Sequence, residues 1–474
     1  MMRAAFLLIV AGVLACLCAS SASAQESKFA SDLRREGEHI TESCNSTSPK
    51  ALGGCAYTLV SSYPIHLALG SLAPGNGFAF GLAVSERHTP NESWRITWSG
   101  DAVASTSGAY RIGGYMKFIH TPELGVVVSR PGEPPPVARK LKLDTWVVDA
   151  FAQTTSLKAI NYFGQGPDST ENGRTSFGQQ ETIIGGSIIL PMSGASWIGA
   201  LHPALIGSIR TRMVDIRSGQ ADDGPSIEEL YNDATAPGLS LQDPFVELLE
   251  GVRFRPSLPN GWLRLNYLAM AQQFRTSEAS QSSFNRWTID LQHEIPLYRG
   301  ATSSGPPKDF NGPNECSVTV DSLDCPPLQR SRNRTGTIGL RLLMSASSTQ
   351  DSNRVPFYFQ PTLGGSDLNG DRILAAFDDY RFRAPNVLAL RESIEHSLWG
   401  PIGIFAEAEQ GKVEERASYL GFNDMFTSAT IGLTLRAGGF PLVNLSFSWG
   451  AEGNHVIGTM STALLGGSSR PSLY

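Results

Sequence analysis

The chain has 474 residues, of which 41% are hydrophobic and only 17% charged, with 48 glycines. Soluble domains average about 25% charged residues and roughly 7% glycine, so this balance speaks against disorder or a helical bundle and for an all-β chain with many turns. A net charge of −6, with no long basic tract, gives no reason to expect nucleic acid as a partner.

The first element is MMRAAFLLIVAGVLACLCASSASAQE. One arginine, an apolar core from Ala4 to Leu17 and the small residues Ala22-Ser23-Ala24 read as a cleaved secretory signal over residues 1–24. Cleavage before Cys16, as in a lipoprotein, stays open as an alternative. No other stretch approaches the ~18 apolar residues of a spanning helix, so an exported chain of this kind enters a membrane as strands. Residues 27–44 suit one short helix, with Phe29, Leu33 and Ile40 roughly on one side. The mature cysteines form two close pairs, Cys44 with Cys55 and Cys316 with Cys325, expected as local disulfides although four cysteines allow three connectivities.

After Gly75 the text alternates. GFAFGLAVSE sets Phe78, Phe80, Leu82 and Val84 against small and polar residues, and NLSFSWG sets Leu445, Phe447 and Trp449 against Asn444, Ser446 and Ser448. This is the period-2 pattern of a strand with one apolar and one polar face. A soluble sandwich would bury the apolar face; a membrane barrel turns it to lipid and lines a wet lumen with the polar one. Candidate strands of about 10–14 residues, repeated Arg and Asp on the polar face and aromatic residues near strand ends favour the barrel. Sixteen such strands fit between residues 77–86 and 455–465, with 140–154 and 157–163 read as two of them. The fold expected is all-β: a sixteen-stranded antiparallel transmembrane β-barrel with a short N-terminal helical segment.

Between strands 336–349 and 386–399 lies a long connection, the sixth on its side, holding VPFYFQPTLGGS and LAAFDDYRFRAPNV. Asp367, Asn369 and Asp371 offer oxygens at alternate places, but glycine and glutamate are not where a calcium loop needs them, so the stretch reads as an Asx-rich turn. No metal site, cofactor or catalytic residue is predicted, and the chain is expected not to be an enzyme. Arg391, Glu392 and Glu395 on the following strand read as lumen lining.

Several of these segments resemble the BamA-type outer-membrane barrel family, also called bacterial surface antigens. They are YFGQGPDSTENGRTSFG, DLQHEIPLYRG, the sixth-loop text just quoted, and GIFAEAEQGKV, spread over most of residues 75–465. The resemblance implies a sixth outer loop folded back into the lumen, whose Arg-Gly-Phe/Tyr tip pairs with an acidic group on the wall. Aligning Leu374 and Phe377 with that tip leaves Ala375 and Ala376 where Arg and Gly belong. Arg372, Arg381 and Arg383 are the replacement candidates for the tether, with Glu407 or Glu395 as the wall partner. Family members that insert proteins carry periplasmic POTRA modules, and residues 25–76 are too few for more than part of one. The expected organisation is therefore a signal peptide (1–24), an N-terminal periplasmic segment with a short helix (25–76) and an outer-membrane barrel (77–474), a member without POTRA modules. The implied role is outer-membrane protein assembly or translocation in the bacterial outer membrane, with membrane lipid and a separate periplasmic protein as partners. The alternative is a structural or narrow-pore barrel that docks a partner without insertase activity.

Overall fold

The computed structural model describes residues 28–45, 63–121, 145–192, 201–304, 330–399 and 401–460, apart from short stretches within them, together with Ser48, Cys55, Thr58 and Leu59. The chain divides into two units, Met1–His66 and Leu67–Tyr474. The described residues of the first include the helix α1 (Lys28–Ser43) and a disulfide between Cys44 and Cys55. Cys316, Cys325 and the signal segment lie outside the described residues.

The second unit is a single antiparallel sheet of sixteen strands, each paired with its neighbour in the chain. In order these are β1 (Ile65–Ser71), β2 (Phe78–Asn91), β3 (Trp94–Ser105), β4 (Tyr110–His120), β5 (Trp146–Tyr162), β6 (Thr175–Pro191), β7 (Ala204–Ser218) and β8 (Phe245–Phe254). There follow β9 (Arg264–Thr276), β10 (Phe284–Ser304), β11 (Arg330–Thr349), β14 (Asn386–Trp399), β15 (Ile402–Glu414), β16 (Phe426–Ala437), β17 (Phe440–Gly450) and β18 (Gly453–Met460). Two short strands, β12 (Thr362–Leu363) and β13 (Phe382–Arg383), pair with each other inside the connection between β11 and β14.

Which face is inside settles the question the alternation leaves. On β16, Ile431, Leu433 and Leu435 are 45–48% exposed while Ser428, Thr430 and Thr434 are 1–4% exposed. The same inversion holds on β17, where Leu445, Phe447 and Trp449 point out and Ser446 and Ser448 point in. An apolar outside around a polar inside is a transmembrane barrel, not a sandwich. Aromatic residues mark the end of the outward face away from the sixth loop: Trp94, His120 and Trp146 stack edge and face across β3, β4 and β5. Interfacial belts of this kind sit at headgroup level. Replacing Leu433 by arginine should therefore cost about 2–4 kcal/mol, the range for a cation at the midplane of a barrel's lipid face. The midpoint of urea unfolding in lipid vesicles reads this, and an unchanged midpoint would contradict the outward assignment.

The strand count matches the expectation, but two of its members differ. Ile65–Ser71, within the stretch read as an N-terminal segment, is the first strand of the sheet. Residues 157–163 are not a separate strand: β5 runs unbroken from Trp146 to Tyr162, with a bulge between Leu157 and Ile160 against β6. A bulge adds one residue and resets the alternation, which in sequence looks like an end and a new start. The two differences cancel from β6 onward. The connection between β11 and β14 is thus still the sixth on its side. Glu392 also departs from the reading. It is exposed on the outward face, in register with Leu340 and Ala408, while Arg391 and Glu395 face in.

Strands β10 and β11 pair over their whole length, from Phe284 with Thr349 to Ser304 with Arg330. Their neighbours stop earlier: β9 pairs with β10 only as far as Glu294, and β14 pairs with β11 only as far as Gly336. The last rungs form a two-stranded ribbon at the end of the barrel opposite the sixth loop.

Candidate functional site: the sixth loop inside the barrel

The loop from Pro356 to Pro385 is almost wholly buried, and what buries it is the inner face of the barrel. Its fold starts at Gly364 and Gly365, whose φ angles are +99° and +54°. A Cβ at Gly364 would lie 2.5 Å from that of Arg381, so the turn needs glycine for shape and for clearance. The Gly364 and Gly365 N–H groups donate to the carbonyls of Ile373 and Leu374, and Tyr380 N–H donates back to Gly364. Leu374 and Tyr380 take left-handed backbone angles, unusual for such side chains and held here by complete burial. The Asp367 carboxylate accepts from the N–H groups of Asn369 and Asp371, the Asx-turn geometry. Burial pushes the Asp379 carboxyl above the usual carboxylate range, with the Ser366 N–H pulling the other way. Among the described residues, no group of three or more His, Cys, Asp or Glu converges as a metal site.

The tip, Ala375-Ala376, lies flat against the wall. Ala375 N–H donates to Glu409 at 2.9 Å and Ala376 N–H to Ser428 Oγ at 3.0 Å. Close approach is possible because the wall offers glycine. A Cβ at Gly411 would meet Leu363 at 2.7 Å, and one at Gly450 would meet Ala376 at 2.9 Å. Small residues on both sides thus replace a charged tip with backbone hydrogen bonds to the wall.

Of the three candidate arginines, Arg372 reaches Glu407, at 3.0 Å, and also donates to Ser446 Oγ at 3.0 Å. Arg381 goes elsewhere. It grips both oxygens of Glu452, in the β17–β18 turn, at 2.8 Å each, and Ser169 Oγ and carbonyl at 2.9 and 2.8 Å. Arg383 donates to the Phe357 carbonyl at 2.8 Å within a box of Tyr162, Phe177 and Phe357 rings. Glu395 meets Arg436, not the loop. Leu374 and Phe377 pack with Leu363, Ile373, Phe382 and Val413 in one apolar cluster.

Several anchoring residues went unread in the sequence. Phe357 and Phe359, read as plain loop, are fully buried. Phe359 meets Phe245, Phe274 and Phe284 on three successive strands, and Arg212 stacks over it at 4.5 Å. Asp371 pairs with Arg341 at 2.6 Å, and Arg341 also holds Asp290 through two bonds of 3.0 Å. Glu409 holds Arg391 at 2.9 Å as well as the tip. Glu409 was within reach of sequence reasoning, since it shares the inward face of its strand with Glu407 by the period of two. Nothing periodic marks PFYF.

The loop thus touches β5 and β6 at Arg383, β8 to β10 at Phe359, and β15 to β17 at Arg372 and Ala376, which requires a sheet curled around it. A cavity of about 1000 Å³ lies beside it, lined by Leu72, Arg111, Met270 and Leu343, and by Ile457 and Thr459 of the last strand. Residues at both edges of the sheet therefore border one space. Among the described residues, β1 and β18 are not paired with each other.

No protein-family model and no curated protein matches the chain. Among solved structures it is similar to CdiB from Escherichia coli (12% identity, TM-score 0.48, 82% of this chain and 58% of that one). It is also similar to CdiB from Acinetobacter baumannii (10%, 0.44, 82% and 55%). A third is BamA from Haemophilus ducreyi lacking POTRA domains 1–3 (9%, 0.45, 83% and 69%). The chain spans a little over half the length of the two CdiB chains.

Proposed function

We propose that this chain is a non-enzymatic barrel of the bacterial outer membrane that assembles or translocates other proteins, with its sixth loop as an internal plug. The observation that supports this reading is an inserted loop bracing a lumen that residues of both the first and the last strand border, and a seam between those two strands is part of the proposal. Unpaired N–H and C=O groups on a strand edge are a template for an incoming strand. The loop supplies what such a barrel lacks at its seam: cross-bracing from within, through Arg372–Glu407, Asp371–Arg341 and the Phe359 cluster.

A disulfide installed between β1 and β18 tests the seam. The expected result is loss of client export or insertion in the oxidised protein and recovery on reduction. Full activity of the cross-linked protein would show that the seam need not open.

A further inference from the structure

The two edges of the seam are held at their loop-side ends by different devices. On one side, the turn between β1 and β2 is clamped by the fully buried Asn76. Its amide donates to the Ala159 carbonyl at 2.8 Å and accepts from Lys158 N–H at 2.7 Å, fixing that turn to the β5 bulge. On the other side lies the turn between β17 and β18, for which no buried side-chain clamp of this kind is found among the described residues. Its Glu452 is held by Arg381, a residue of the sixth loop. Arg381 is 3% exposed, stacks on Phe163 and Phe382, and bonds Ser169 of the β5–β6 loop with its remaining donors. Just below, Gly450 packs against Ala376 of the loop tip.

We infer that Arg381 is a positioning residue for the last strand: through Glu452 it ties that edge of the seam to the sixth loop, so that β18 shifts only when that loop does. This deepens the proposed function and rests on its seam. The chemistry is specific. A guanidinium fork matches a carboxylate through two parallel bonds and keeps further donors for a third partner, whereas an ammonium is a point charge without that planar fork. Burial against two rings keeps water from competing for those bonds. The fixed clamp at Asn76 and the loop-borne latch at Arg381 make the seam asymmetric, with β1 held by the wall and β18 by the plug.

Amide exchange on the full chain in lipid nanodiscs tests this. Glu452→Gln, a change of shape-conserving kind at a turn, and Arg381→Ala should each speed exchange over residues 453–460 by about ten-fold, the loss of one charge-assisted hydrogen bond. Exchange over β14 and β15 should stay as it was. Because the two residues act as one contact, the double variant should exchange no faster than Arg381→Ala alone. Unchanged exchange in folded Glu452→Gln, or fully additive effects in the double variant, would overturn the latch. The outcome is separable from the seam test above: a latch that governs exchange in a barrel whose cross-linked form still exports or inserts clients would refute the opening of the seam and leave the latch standing.

Discussion

Replacing Arg212 by alanine is expected to destabilise the barrel by about 3–5 kcal/mol, the cost of removing one partner from a buried ion cluster. Arg212 is fully buried between Glu181, at 2.6 Å, and Glu247, at 3.3 Å, and Arg210 and Gln272 complete the coordination of Glu247. Its loss leaves two carboxylates facing each other with one arginine between them. It also removes the cation from above Phe359, so the loop's aromatic anchor loses its floor. Arg212→Met paired with Glu181→Leu should recover part of the loss, since both members of that pair become apolar while Glu247 keeps Arg210 and Gln272. Urea unfolding followed by tryptophan fluorescence reads both, and a single variant within about 0.5 kcal/mol of the parent, the range of ordinary surface changes, would show that the cluster is not structural.

Deleting residues 361–385 is expected to raise single-channel conductance in planar bilayers by an order of magnitude. A barrel of sixteen strands leaves an aqueous channel unless something fills it. Here the filling is the loop itself, with Leu374, Phe377, Tyr380 and Phe382 all buried inside the ring of strands. The narrower change Arg372→Ala should raise conductance only in brief bursts, because the Ala375 and Ala376 backbone bonds and the Phe359 cluster still hold the tip. Identical conductance with and without 361–385 would remove the plug from this account.

Much of the architecture was legible because lipid and water impose opposite demands on alternate residues of each strand. The errors fall where that demand is interrupted. At Leu157 to Ile160 the bulge shifts the phase, so one strand looks like two. Ile65–Ser71 sets Ile65, Leu67 and Leu69 against His66, Ala68 and Gly70, but its seven residues fall short of the 10–14 expected of a spanning strand. Inside the barrel the alternation says nothing. Arg372, Arg381 and Arg383 lie within twelve residues of one another, and their separate partners depend on turns at Gly364, Leu374 and Tyr380 that redirect the chain. Spacing alone offers all three to Glu407. Geometry assigns Arg372 to the wall, Arg381 to the last hairpin and Arg383 to an aromatic box.

The ribbon where β10 and β11 outrun their neighbours has a mechanical meaning of its own. From Tyr298 to Ser304 it projects about 20 Å at a strand's rise of ~3.4 Å per residue. Over that reach neither β9 nor β14 pairs with it, so among the described residues the ribbon offers backbone groups on both margins. A membrane-bound cylinder with such a handle can be gripped from below without any grip on the cylinder itself.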